Sequence, residues 1–187
     1  MVCRNFILSE ICKPCLFLPF FEFAQFIVPY QVLSSILVAS DCKNKNKKSI
    51  AVELFVAPRY YAFLGAEYVY KETNNLDIHV NITEDSGKVM TDSLALPSDK
   101  VHPGISNEYA QTILNTSIKV FKNLGNVSTG VLTFNVGGYS DYGSNQVIFS
   151  KVTSILIRLF IRKKGSFELE ELKDIVRNEL DKPLTDI

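Results

Sequence analysis

The apolar period of this chain changes at Pro103-Gly104, and that change fixes the class of fold open to it. Upstream, Leu76, Ile78, Val80 and Ile82 alternate with Asp77, His79, Asn81 and Thr83, the period-two pattern of a half-buried strand. Downstream, Tyr109, Ile113, Leu114, Ser117, Val120, Phe121 and Leu124 recur at helical spacing. Ser106 stands at the capping position of that helix, Glu108 in its first turn and Gly125 at its stop.

The other segments extend the pattern. The apolar runs 50–57 and 66–70, separated by Pro58 and Gly65, predict strands, with a helix as the alternative for the first, and residues 85–88 a turn into a further strand at 89–96. Residues 129–136 predict a strand and 137–143 a loop. Ser144 then caps a helix with Val147, Ile148, Val152, Ile155, Leu156 and Leu159 inward. A last amphipathic helix at 167–180 turns Leu169, Leu172, Ile175 and Val176 inward. The order β-β-β-α-β-α, with that closing helix, predicts an α+β two-layer sandwich: a mostly antiparallel sheet with helices on one face.

Composition narrows the function. With 47% hydrophobic and 21% charged residues among 187, the chain can fill a core, and wholesale disorder is excluded. Twenty basic and twenty acidic side chains cancel, which excludes attachment to nucleic acid by bulk charge alone. Locally the balance breaks. Residues 43–50 carry four lysines and no acid, and residues 151–164 five basic groups and no acid. Residues 1–42 hold only five charges, and the 18 residues from 23 to 40 hold none, the lower limit for a membrane span, interrupted by Pro29. These shifts divide the chain into a hydrophobic N-terminal extension and candidate membrane segment (1–42), a basic linker (43–49), an α+β domain (50–165) and a C-terminal amphipathic helix (166–187). A cytoplasmic location is expected. If residues 1–42 anchor the chain, the lysines after them keep the C-terminal domain cytoplasmic.

Cys3, Cys12, Cys15 and Cys42 all precede the domain, and Cys12-Lys13-Pro14-Cys15 has redox or zinc spacing. His79 and His102 are too distant in sequence to complete a zinc set, so reduced thiols and no metal are expected. Gly137-Gly138 followed by Gly143-Ser144 fits neither phosphate-loop pattern, and no lysine follows. No Ser/His/Asp set is visible. The expectation is a non-catalytic protein with no cofactor and no small-molecule substrate. Asn81, Asn115 and Asn126 begin glycosylation-type triplets, with Asn115 inside the first helix. Arg158, Arg162, Lys163 and Lys164 are the candidate phosphate contacts.

Several motifs, in order, resemble one known domain. Val69-Tyr70-Lys71-Glu72-Thr73 looks like the Y-[RK]-E-T entry motif, and Ile78-His79-Val80-Asn81-Ile82 like the strand after it. Residues 101–109, with Val101, Glu108 and Tyr109, resemble the opening of its first helix, with Ile118 further along. Residues 134–149 resemble its strand, tip loop and helix, with Gly137, Tyr139, Ser144 and Phe149 in register. Gly165-Ser166-Phe167-Glu168-Leu169 resembles the junction to the next domain. Residues 66–172 therefore resemble domain IV of the translational GTPases, in particular the tetracycline-resistance ribosomal protection proteins and elongation factor G.

The resemblance implies the fold of the second domain of a small-subunit ribosomal protein, with a left-handed β-α-β crossover. It implies a tip that reaches small-subunit ribosomal RNA through Tyr139, Ser140, Asp141, Tyr142, Gly143 and Ser144. The chain departs from the family at Asn74-Asn75, where a glycine-rich loop stands, at Ser140, where a histidine stands, and at the acidic Asp141. It carries no GTPase motif. The alternatives are a membrane-tethered protein-interaction domain that binds no RNA, and an enzyme on the same superfamily fold.

Overall fold

The computed structural model describes residues 21–28, 32–40, 46–72, 75–83, 87–125, 129–162 and 169–183. Its elements in chain order are β1 (Phe21–Val28), β2 (Val32–Ser40), β3 (Lys47–Val56), β4 (Tyr60–Tyr70), β5 (Leu76–Val80), β6 (Val101–Pro103), α1 (Asn107–Leu124), β7 (Gly130–Ser140), α2 (Gln146–Ile161) and α3 (Leu169–Asp181). The strands form one seven-stranded sheet in the order β1-β2-β3-β4-β7-β5, with β6 also on β7. Every pairing is antiparallel except β5 with β7. The α+β sandwich expected from the sequence is the fold found.

Strand periodicity builds the core. Ile50, Val52 and Leu54 of β3, Ala62, Leu64 and Ala66 of β4, and Leu132 and Phe134 of β7 are buried in one cluster. Ile113 and Phe121 of α1, and Phe149, Val152, Ile155 and Leu156 of α2, complete it from the helical layer. Each valine, leucine, isoleucine or phenylalanine among them contributes about 1.5–3 kcal/mol by leaving water. α2 is the central helix and packs on β3, β4, α1 and α3.

The N-terminal division changes. The uncharged stretch joins the sheet: β1 and β2 pair from Phe21↔Ala39 to Val28↔Val32, and β2 continues onto β3. Val32 and Ile36 enter the same core as Val52 and Leu54. The boundary between 49 and 50 also cuts a strand, since Lys47, Lys48 and Ser49 belong to β3. Lys47 pairs with Glu67 on β4 at 2.8 Å, and Lys48 donates to the carbonyl of Leu159 at the end of α2 at 3.0 Å. That end carries the negative pole of the helix and suits a cation. Among the described residues no helix is long and apolar enough to cross a membrane. The four cysteines lie outside the described residues.

Four further expectations are corrected. The expected strand at 89–96 is irregular, because its ends Val89 and Leu96 are exposed and present no apolar face. It instead crosses the sheet face opposite the helices, tied by Met90 N to Val101 O (2.8 Å) and Leu94 N to the buried Glu53 carboxylate (2.8 Å). Gly65 does not separate two strands; it lies inside β4, at a shift of register against β7. Gly137, Gly138, Tyr139 and Ser140 are not loop but the end of β7. There the glycines permit close packing: a Cβ on Gly137 stands 2.5 Å from Ile105 Cγ1, and one on Gly138 3.1 Å from Met90 Sδ. In α3, Leu172 and Val176 are buried as expected, whereas Leu169 is exposed.

Candidate functional site

β7 delivers the candidate tip to one end of the sheet, where α2 begins. Asp141, Tyr142 and Gly143 form the turn between them. Ser140 is buried; its N–H donates to Ser144 Oγ (2.8 Å), and its own Oγ accepts from Gly143 N–H (2.9 Å). Ser144 Oγ in turn donates to the carbonyl of Tyr61 (2.7 Å), and Tyr61 N–H donates to the carbonyl of Gly143 (3.1 Å). Ser144 is therefore not the helix cap. Asn145 takes that place and accepts from Ile148 N–H at 3.0 Å. Replacing Ser144 with alanine is expected to lose about 1–2 kcal/mol of stability in a denaturant titration, since two backbone groups lose their side-chain partner.

Two other segments close around this turn. Asp141 N–H donates to Lys100 O (3.1 Å), and Tyr142 N–H to the Asp99 carboxylate (3.2 Å). His102 lies in β6 opposite Tyr139. Its Nε2 is 2.9 Å from Asp141 Oδ1, and its ring stacks on Tyr139 at 5.5 Å between centroids. Tyr139 also meets Tyr109, which stacks on the buried Phe149 at 4.1 Å. Burial pushes the Tyr109 hydroxyl pKa up, with Glu108 and Tyr139 acting in the same direction. The third wall is the β3–β4 turn, containing the cis Ala57-Pro58 bond; the Arg59 carbonyl faces Gly143 so closely that a Cβ there stands 2.1 Å from it.

The six tip residues thus divide by role. Ser140, Gly143 and Ser144 hold the turn together, and Tyr139 is half-buried beneath it. Tyr142 is 73% exposed and offers a free aromatic face, while Asp141 is exposed but paired with His102. Arg59, Tyr60 (42% exposed) and Lys100 join Tyr142 at this end of the molecule, and sequence reasoning missed all three. The only local signal was an Arg-Tyr pair directly after a proline turn.

The basic cluster lies elsewhere. Arg158 follows Ser144 by fourteen residues along α2, a rise of roughly 20 Å away from the tip. Arg158 pairs with Glu179, and Arg162 with Glu171. The buried Lys151 donates to the carbonyls of Glu179 (2.9 Å) and Lys182 at the end of α3. Burial lowers the Lys151 pKa, and the Glu179 carboxylate opposes that shift. These cations fasten α3 to α2, so Arg158 and Arg162 each have a structural role there. Lys163 and Lys164 lie outside the described residues. Among the described residues, no group of three or more metal-ligating side chains comes together. Comparison with protein-family models, with curated proteins and with solved structures yields no match for this chain.

Proposed function

We propose that this is a non-catalytic RNA-associated protein of the kind that reaches the small ribosomal subunit, and that it touches RNA with the tip between β7 and α2. The observation that carries the reading is Tyr142: an exposed aromatic ring on a turn whose backbone is hydrogen-bonded to two other segments. A ring held this way stacks on an unpaired base at little entropic cost. Arg59 and Lys100 are exposed basic residues on the two segments whose backbone meets this turn, and Asp141 is held by His102 at 2.9 Å. The order β5–α1–β7–α2 also agrees with the order of elements in the domain that residues 66–172 resemble.

The test is binding of a fluorescently labelled single-stranded oligoribonucleotide across a salt series. Tyr142→Ala is expected to weaken binding by about tenfold, the size of one lost stacking contact. Arg59→Ala is expected to reduce the slope of log K against log salt by about one. Binding that is unchanged in both variants contradicts the proposal.

A further inference from the structure

The strand β5 ends the sheet, and among the described residues β7 is the strand it pairs with. Gly130 N–H donates to Asn75 O (3.1 Å) and Asn81 N–H to Phe134 O (2.9 Å), so the odd-numbered residues direct their backbone groups toward β7. Alternation turns the N–H and C=O of Leu76, Ile78 and Val80 outward, along an edge that no other strand among the described residues covers. Sheet edges are commonly guarded by lysine, proline or a bulge, and residues 76–80 have none of these. The apolar side chains of β5 also remain half-buried, whereas Val52 and Leu64 on interior strands are fully buried. One more strand beside β5 completes their cover.

The sequence of β5 selects which strand. In antiparallel self-pairing about Ile78, Leu76 of one copy stands opposite Val80 of the other on the helical face. Asp77 of one copy stands opposite His79 of the other on the outer face, twice by symmetry. The outward backbone groups make 76↔80 and 78↔78 the hydrogen-bonded pairs. Asp77 and His79 then form the non-hydrogen-bonded pair, where facing Cα atoms come to about 4.5 Å and side chains are closest. An imidazole N–H meets a carboxylate there. Moving the register by two residues sets Asp77 against Asp77, or His79 against His79, so the charges favour the register centred on Ile78. We propose that β5 is a self-association edge and that its occupant is β5 of a second copy. The pair has two-fold symmetry, with one sheet continuous across it and both helical layers on the same side.

The measurement is sedimentation equilibrium of the full chain over a wide concentration range. A strand pair this short belongs to the weak class of interfaces, so a concentration-dependent monomer–dimer equilibrium is expected. His79→Asp places like charges opposite one another at both symmetric contacts and is expected to weaken the dimer by about tenfold. The swapped variant Asp77→His/His79→Asp restores opposite pairs and is expected to restore the dimer. Both positions are exposed, so the denaturation midpoints of the monomers serve as the folding control. A chain that stays monomeric at its highest soluble concentration overturns the proposal. So does a dimer that ignores His79→Asp, or a swap that fails to rescue.

Discussion

Replacing Gly143 with alanine is expected to be among the most damaging single changes in this protein, costing about 3 kcal/mol. The added Cβ stands 2.1 Å from the Arg59 carbonyl oxygen, 2.7 Å from Ser140 Oγ and 3.1 Å from Asp99 Oδ2. The first of these is backbone and cannot swing away as a side-chain end does. Relief requires the β3–β4 turn and the tip to separate. That separation strains the hydrogen bond between Tyr61 and Gly143 and the bridge from Ser144 to Tyr61. The loss is therefore expected to couple with Ser144→Ala in a double-mutant cycle rather than add to it. A shift of the denaturation midpoint worth less than about 1 kcal/mol contradicts this picture of the tip.

Glu53→Ala is the second large effect, with an expected loss of about 2–4 kcal/mol. Glu53 is 4% exposed, and its Oε1 accepts from the buried Tyr61 hydroxyl and from Leu94 N–H, each at 2.8 Å. Truncation leaves both donors without their acceptor and removes one of the two ties between the 89–96 segment and the sheet. Burial raises the Glu53 pKa above the ordinary carboxylate value, against the opposing effect of bonds from Leu94 and Tyr61. Between the ordinary and the raised value, the folded chain keeps a proton that the unfolded chain has released. The contribution of this group to stability is therefore greatest below that window and falls as pH rises through it. Glu53→Gln keeps one acceptor oxygen and removes the titration. It is expected to flatten this part of the pH–stability curve, which denaturant titrations across mildly acidic pH measure directly.

The strands and helices of residues 50–180 were legible because their apolar periods follow burial on one face. Leu76, Ile78 and Val80 are such a case, as are Ile113, Val120 and Phe121. The segment at 89–96 misled because its apolar residues satisfy strand composition without sharing a face. Residues 23–40 were ambiguous for a different reason: a charge-free run fits a membrane segment and an element packed on the domain alike, and the pairing of β1 and β2 with β3 depends on contacts that no local pattern encodes. At the tip, the glycines and serines were visible, but their roles were not. Ser140 and Ser144 are fixed by contacts to each other and to Tyr61, which lies far away in sequence. Arg59 and Lys100 reach the same end through the β3–β4 turn and the approach to β6, a convergence that no local spacing encodes. Charge counting identified Arg158 and Arg162 but not their acidic partners on α3.

The central claim, that the tip meets small-subunit RNA, is tested most directly by co-sedimentation of the full chain with isolated small and large ribosomal subunits at low and moderate salt. The account predicts pelleting with small subunits, weakened by salt and reduced in Tyr142→Ala while the fold is unchanged. Failure to pellet with small subunits at low salt, or equal pelleting of wild type and Tyr142→Ala, contradicts it.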